Sequence, residues 1–258
     1  MTAIELARAE KTFANGLHAL APLTLTVVDG EFATIVGPSG CGKSTLLRMV
    51  AGLTPASGGS VRLWPDLAEA ANRRLAFVFQ NATLMAWADV EKNVSLPLDL
   101  GAAMRDPTSA AARLDHALAL VGLADFRHAY PGELSGGMQM RVSIARALVT
   151  EPRLLLMDEP FAALDEITRT RLDRELADLW ERERLTILFV THSIFEAVFL
   201  STRVLVMSPR PGRIVGEVAI DEPHPRSEAF RVSTRFAAWC DRLSTMLASA
   251  TEDAGVRP

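Results

Sequence analysis

Three stretches carry residues whose types and spacing could do chemistry. The first is Gly37-Pro38-Ser39-Gly40-Cys41-Gly42-Lys43-Ser44-Thr45, spaced G-x-x-x-x-G-K-S. Its glycines let backbone N–H groups crowd round a di- or triphosphate with no Cβ in the way. Lys43 can set a point charge on the β- and γ-phosphates, and the Ser44 hydroxyl can ligate Mg²⁺. The second is Leu154-Leu155-Leu156-Met157-Asp158-Glu159, an apolar run ending in two carboxylates. Beside a phosphate loop, Asp158 can hold the Mg²⁺ shell while Glu159 orients or deprotonates a water. Alone, the same run reads as a strand before an acidic helix start. The third is Leu134-Ser135-Gly136-Gly137-Met138-Gln139, a second glycine-rich turn that opens a helix. A helix N-terminus attracts anions, although the turn could equally be a plain helix start. The chain therefore holds two phosphate-seeking helix openings, and the sequence does not say whether they meet in one subunit.

The elements that must position these residues are those of an α/β fold. Residues 31–36 read as a short buried strand and 44–51 as a helix facing the anion. Residues 4–9 and 23–28 alternate apolar and polar as half-exposed strands do. Between them residues 11–16 read as a turn, and Asp29-Gly30 is a hairpin signal. Ser57-Gly58-Gly59 should break the chain before a strand at 60–64. Residues 75–79 form a buried-type strand ending at Gln80. From there the character changes. Pro97, Pro107 and Pro131 punctuate helical segments, and Leu114, Leu118 and Val121 share one face. Residues 84–150 thus read as a helical insert. Strands are expected at 154–157, 186–190 and 204–207, with helices at 166–184 and 193–200. Ile167, Leu172, Leu176 and Leu179 mark the core side of the first of these helices. Residues 209–225 are rich in Pro and Arg and contain a strand at 213–218. The domain is expected to run from 1 to 225, with a helical tail at 226–258. Phe236, Trp239, Cys240, Leu243, Met246 and Leu247 keep helical spacing there, either to dock on their own domain or to bind a partner.

Bulk properties narrow the classes. Of 258 residues, 49% are hydrophobic, enough for a real core rather than disorder. The net charge of −4, from 31 acidic and 27 basic residues, lacks the basic excess of a nucleic-acid-binding surface. Cys41 lies inside the phosphate loop and the only other cysteine is Cys240, so a reducing compartment fits better than a disulfide. The first residues lack a signal peptide's basic and apolar regions, and no apolar run approaches the roughly 20 residues that span a bilayer. The expectation is a soluble, cytoplasmic chain whose membrane role, if any, comes through a partner.

Taken together, the phosphate loop, the Leu-Ser-Gly-Gly-Met-Gln stretch and the acidic strand resemble the ATP-binding cassette ATPases. The likeness runs from Phe13 to about Gly216. It implies a P-loop NTPase with a RecA-like core, an N-terminal antiparallel β region and an inserted helical subdomain, working with ATP and Mg²⁺. In that pattern Phe13 matches the aromatic that stacks on adenine, and Gln80 matches the glutamine that reaches Mg²⁺ and the γ-phosphate. The metal set would then be Ser44, Gln80 and Asp158, and the catalytic set Lys43, Gln80, Glu159 and His192. His192 closes Phe189-Val190-Thr191-His192 as the switch histidine does. Phe161-Ala162-Ala163-Leu164-Asp165 matches the segment that crosses a dimer interface. Two subunits would pack head to tail, so that Ser135, Gly136, Gly137, Gln139 and Asp165 complete the partner's nucleotide site.

Two further stretches, residues 79–87 and Met207-Ser208-Pro209-Arg210-Pro211-Gly212-Arg213-Ile214, resemble the importer branch for nitrate, sulfonate and taurine. Such subunits sit on the inner face of the membrane with a separate permease and a periplasmic binding protein. The apolar Leu84, Met85 and Trp87 are the expected contact with that permease, although they could instead seal the insert onto the core. The chain departs from the branch at Ala86, where a proline is usual, and at Met140, where a polar residue is usual. The segment between Gly59 and Arg74 is also short. Exporter or lipid-transport motors, cassettes acting on DNA or ribosomes, and regulatory modules without turnover share the general motifs. Tandem cassettes and membrane segments are absent from this sequence, and Glu159 and His192 are present.

Overall fold

A computed structural model of the chain describes residues 1–65, 75–100 and 107–253. Part of the stretch between Gly59 and Arg74, part of the insert and the end of the tail lie outside the described residues. Two sheets share the work. β1 (Thr2–Thr12), β2 (His18–Val28) and β4 (Gly58–Leu63) make a three-stranded antiparallel sheet in the order β2-β1-β4. The second sheet has six strands. They are β3 (Phe32–Val36), β5 (Leu75–Val78), β6 (Leu154–Asp158), β7 (Thr186–Thr191), β8 (Arg203–Met207) and β9 (Ile214–Ala219). Their order is β5-β6-β7-β3-β8-β9; β9 runs antiparallel to β8 and the rest are parallel.

The parallel strands are mostly apolar because both of their faces are covered, with Thr34, Asp158, Thr186, Thr191 and Arg203 as the polar exceptions. Alternation along each strand divides its side chains between two cores. Phe32, Val36, Leu155, Met157, Ile187, Phe189, Val204 and Val206 face one, packed under the helices. Ala33, Ile35, Leu154, Leu156, Leu188, Val190, Leu205 and Met207 face the other, against the small sheet. Helix α1 (Lys43–Val50) fills the space between the sheets with Leu46, Leu47, Met49 and Val50. Each such side chain contributes about 1.5–3 kcal/mol when removed from water.

The helical insert is built from α2 (Val90–Leu100), α3 (Pro107–Leu120) and α4 (Gly136–Leu148). Leu114, Leu118 and Val121 are buried, as their spacing requires. Helices α5 (Glu166–Glu183) and α6 (Ile194–Leu200) cover the large sheet. The tail supplies α7 (Glu228–Arg231) and α8 (Thr234–Asp253), and it docks on its own domain. Phe236 stacks on Phe195 of α6 at 6.0 Å, and Arg231 reaches buried Asp173 of α5 at 2.8 Å. The buried Arg226 guanidinium donates to the carbonyls of Val198, Phe199, Ile220 and Glu222.

Several local expectations change. Asp29-Gly30 is a turn but not a hairpin: it hands the chain from one sheet to the other. It is pinned there by Thr186 Oγ1, which accepts from Gly30 N at 2.9 Å, and by Trp180 Nε1, which donates to Gly30 O at 3.1 Å. Lys11 and Thr12 belong to β1, so the turn starts after them and Phe13 sits at its mouth. Gly58 pairs with Glu10 within β4, and Gly59, at φ 71°, sits where the register shifts, so the strand is kinked rather than broken. Pro97 lies inside α2, where burial of Val94 and Leu98 offsets the proline's cost of about 3 kcal/mol. Ile167 is 84% exposed. Five residues before Leu172, it falls about 140° round the helix and cannot share the face of Leu172, Leu176 and Leu179.

Candidate nucleotide site

The parallel topology decides where the chemistry collects. The five parallel strands end on one edge of the sheet, and each delivers a predicted residue or loop there. β5 leads to Gln80, β6 to Asp158 and Glu159, β7 to His192, and β3 to the phosphate loop. β8 leads to the loop of residues 208–213. An open parallel sheet binds ligands at this edge.

The phosphate loop wraps the start of α1. Gly42 caps the helix with φ 108°, a left-handed value, and a Cβ there would lie 2.7 Å from Leu20 Cδ2. Only glycine meets both demands. Lys43 is buried, and its Nζ donates to the carbonyls of Gly37 at 2.8 Å and Pro38 at 3.0 Å. It also lies 3.5 Å from Glu159 Oε1. Cys41 is buried beneath the loop, and that burial pushes its thiol above the ordinary range, so it packs as a neutral group. A cleft of about 300 Å³ opens above. Phe13, Ser39, Gly40, Gly42, Lys43, Ser44, Thr45, Gln80 and Glu159 line it. Phe13 is half exposed at its rim, with Lys11 Nζ 5.2 Å from the ring centre.

Two pairs of side chains reach the cleft through its lining residues Ser44 and Glu159. Ser44 Oγ donates to Asp158 Oδ1 at 2.7 Å. Burial raises the Asp158 pKa, against the pull of the Ser44 hydrogen bond and nearby Arg48, so the carboxylate is poorly solvated. Glu159 Oε2 lies 2.9 Å from His192 Nδ1. Glu159 itself holds φ 46°, and its amide donates to Val190 O at 2.9 Å. A non-glycine residue in the left-handed region costs about 1 kcal/mol or more, and here it turns the carboxylate toward both Lys43 and His192.

Ser44, Asp158 and Gln80 offer a hydroxyl, a desolvated carboxylate and an amide, the hard oxygen donors that Mg²⁺ takes. Among the described residues no group of three or more His, Cys, Asp or Glu could hold a metal by itself. A sparse set of this kind suits Mg²⁺ carried in on phosphate oxygens, and in that respect the residues fit the ion.

The second glycine-rich turn is not part of this cleft. Ser135 caps α4, its Oγ accepting from Met138 N at 3.3 Å, while Gly136 and Gly137 form the first turn. Gln139 Nε2 donates to Pro131 O at 2.9 Å and holds the preceding loop. Asp165 caps α5 from an exposed position, and the Thr168 N–H draws its pKa below the ordinary value. Ser135, Gly136, Gly137, Gln139 and Asp165 are all absent from the lining of the nucleotide cleft.

Leu84 and Met85 are half-buried, with Leu84 packed on the core, whereas Trp87 is 81% exposed. Their loop is tied down by hydrogen bonds from both sides, with Ala86 in place of the usual proline. Buried Asn93 accepts from Met85 N at 2.7 Å and donates to the carbonyls of Met85, Ala88 and Asp89. Arg146 clamps the other side through Ala82 O and Thr83 O.

Three lining residues, Leu17, Ala19 and Arg210, were not site candidates in the sequence, and of these only Arg210 is charged. Arg210 borders the cleft and donates from Nε and Nη2 to Gly40 O at 3.1 and 2.9 Å. Its only sequence signal was the Pro-Arg-Pro-Gly stretch, which carries no phosphate chemistry by itself.

The comparisons decide what this edge belongs to. The family described as ABC transporter matches residues 20–162. This chain belongs to that family. It is 42% identical over 246 residues to a taurine import ATP-binding protein, TauB, of Rhizobium johnstonii, covering 93% of each chain. It is 41% identical to an aliphatic sulfonates import ATP-binding protein, SsuB, of Bacillus licheniformis, covering 84% of this chain and 85% of that one. Its fold matches the dimeric structure of a post-hydrolysis state of the ATP-binding cassette MJ0796 bound to ADP and Pi. That likeness has a TM-score of 0.73 at 32% identity and covers 85% of this chain and 100% of the other. The chain is an ABC ATPase with the mixed α/β cassette fold that its motifs imply.

Proposed function

We propose that this chain powers a membrane importer for nitrate, a sulfonate, taurine or a similar small solute. The observation that carries the ATPase half is the convergence at one sheet edge of Lys43, the Ser44–Asp158 pair and the Glu159–His192 pair. Phe13 stacks on the adenine, and residues Gly37 to Thr45 hold the phosphates, with Lys43 leaving the loop carbonyls for the β- and γ-oxygens. Ser44, Gln80 and Asp158 would hold Mg²⁺, which supplies neutralisation of phosphate charge. Glu159 accepts a proton from the attacking water and aligns it, and His192 Nδ1 fixes the carboxylate that does so. The importer half draws on the likeness to the taurine and sulfonate import proteins.

Residues 1–225 act as the ATPase domain, with 84–150 as its helical subdomain and 226–258 as a docked tail. Two copies close head to tail on ATP. Ser135, Gly136, Gly137 and Gln139 of one subunit, with its Asp165 nearby, complete the phosphate site of the other. This accounts for a second helix opening that takes no part in lining its own cleft. Among the described residues no helix is long and apolar enough to cross a membrane. In this reading the subunit works at the cytoplasmic face through a permease, fed by a periplasmic binding protein, in keeping with its likeness to the import ATP-binding proteins.

Trp87, with Leu84 and Met85, is the permease contact. A tryptophan held this far into solvent by a hydrogen-bonded loop is a suitable hot spot. The test uses Trp87→Ala in three assays: pull-down with the permease, ATPase rate of the isolated subunit, and uptake of taurine, alkanesulfonate or nitrate by the assembled system. Assembly and uptake should fall while the basal ATPase rate holds. Export of solute by the wild-type assembly would refute the importer reading, and full assembly by Trp87→Ala would refute the contact.

A further inference from the structure

The Ser208-Pro209-Arg210-Pro211-Gly212-Arg213 stretch has no part in ATP hydrolysis as derived above, yet it is stitched to the phosphate loop. Arg210 donates twice to Gly40 O. Gly212 N donates to Ala19 O at 3.0 Å, and Gly212 O accepts from Ala21 N at 3.1 Å. A Cβ at Gly212 would lie 2.1 Å from Cys41 O, so this loop and the phosphate loop are in direct backbone contact.

On the far side of the same stretch, facing α8, is a groove of about 610 Å³. Arg210 and Arg213 line it, Ser208, Thr245 and Ser249 bring hydroxyls, and Met246 gives it an apolar patch. Among the described residues its lining contains no Asp or Glu. Several guanidinium groups elsewhere in this acidic chain are matched to carboxylates, as Arg203 is to Glu31 and Arg231 to Asp173, while buried Arg226 is satisfied by four carbonyls. Here neither arginine has an acidic partner among the described residues. Arg213 makes no side-chain hydrogen bond or ion pair there at all, and Arg210 has only a backbone carbonyl. Ser208 and Ser249 already donate to the carbonyls of Pro209 and Thr245, so the two unneutralised guanidiniums, with the apolar wall, make the receptor for an anionic head on a short apolar body.

We propose that this groove binds a small organic anion bearing a carboxylate, sulfonate or phosphate group, and that the anion weakens nucleotide binding through Arg210. Arg210 borders both the groove and the nucleotide cleft. An anion in the groove draws the guanidinium from Gly40 and loosens the loop that grips the phosphates. Linkage makes the effect reciprocal, so nucleotide weakens the anion by the same factor. The inference goes beyond the transport reading and does not rest on it.

The probe is butanesulfonate, titrated calorimetrically into nucleotide-free and ADP-saturated protein. We expect saturable binding of one sulfonate per chain, weakened a few-fold but not abolished by ADP. Arg213→Ala, a change at an exposed position outside the nucleotide cleft, should cost at least about tenfold in sulfonate affinity, the loss of a charge-assisted bond. Its ADP affinity without sulfonate should equal that of the wild type, and Arg213→Lys should recover part of the loss. Absence of saturable binding overturns the proposal. So does binding that ADP abolishes and Arg213→Ala leaves intact, which would place the sulfonate in the phosphate loop. Equal ADP affinity with and without sulfonate overturns the coupling. A chain that binds no ADP would instead refute the nucleotide reading, and the nucleotide-free titration would still test the groove.

Discussion

Two glycine-rich turns open helices in this chain, and they are furnished very differently. The one before α1 is surrounded by its own subunit's chemistry: a buried lysine, the Ser44–Asp158 pair, Glu159 against His192, and Arg210 behind Gly40. The one before α4 has only its cap, with Ser135 satisfying Met138 N. A helix N-terminus contributes a fraction of a charge and some orphan N–H groups, worth about 0.3–1 kcal/mol to an anion near the surface. That is too little to hold a nucleotide without further groups. The difference teaches that the first turn gathers charged and polar groups from its own subunit while the second has little beyond its cap, and the proposed head-to-tail arrangement draws on that contrast.

The largest expected effect tests the furnished side. Glu159→Gln should retain ATP and lower turnover by about 10²–10⁴, the range for a lost general base. Steady-state hydrolysis beside nucleotide-binding titration measures this, and wild-type turnover in the variant would remove Glu159 from its role. The bare side is tested by Ser135→Phe, which should bind ATP normally as an isolated subunit yet hydrolyse little. Mixing Ser135→Phe with Glu159→Gln subunits separates the two arrangements. In a head-to-tail dimer the two lesions fall in one composite site and the other is intact, so part of the activity returns. If each subunit worked alone, the mixture would stay dead.

A smaller effect sharpens the edge of the furnished site. Phe13→Ala removes a stacking surface worth about 1–3 kcal/mol, and ATP affinity should fall accordingly while ATP and a tripolyphosphate become less distinguishable. Unchanged affinity would assign the half-exposed ring to packing.

The smallest effect keeps the pH response of the fold apart from that of the site. Burial against Trp180, with the nearby Arg226 charge adding to it, holds the His224 pKa at about 4. Both ring nitrogens lack partners among the described residues. Because the folded pKa lies below the unfolded value of 6.5, the unfolded chain binds more protons between those limits. Stability from this group is complete above about pH 6.5 and is lost as pH falls toward 4. Allowing for partial exposure, the loss is about 1–2 kcal/mol. His224→Phe should flatten urea-unfolding stability over that window and leave nucleotide affinity unchanged.

Most elements were legible in the sequence because their patterns are local. Alternation marked β1 and β2, continuous apolar runs marked β3, β6, β7 and β8, and helical spacing marked α3, α5 and α8. The misreadings came where a local signal is ambiguous. Asp29-Gly30 makes the same turn whether the next strand pairs back or joins another sheet. Pro97 stops an isolated helix but not one whose neighbours are buried. Ile167 is apolar like its helix partners and differs only in its angle.

By itself the sequence determined the chemistry available. The glycine spacing, Lys43 and Ser44 specify a phosphate loop, and the apolar strand before Asp158 and Glu159 places two carboxylates at a strand end. Covalent order sets those relations, so no fold is needed to read them. What only the tertiary structure decided is which groups meet. Ser44 finds Asp158 across 114 residues and Glu159 finds His192 across 33 because parallel strands put their C-terminal ends on one edge. Arg210 reaches Gly40 across 170 residues by the same geometry, with no local pattern to announce it. The separation of the two glycine-rich turns was likewise invisible in the sequence, since helix starts look alike until their neighbours in the fold are in place.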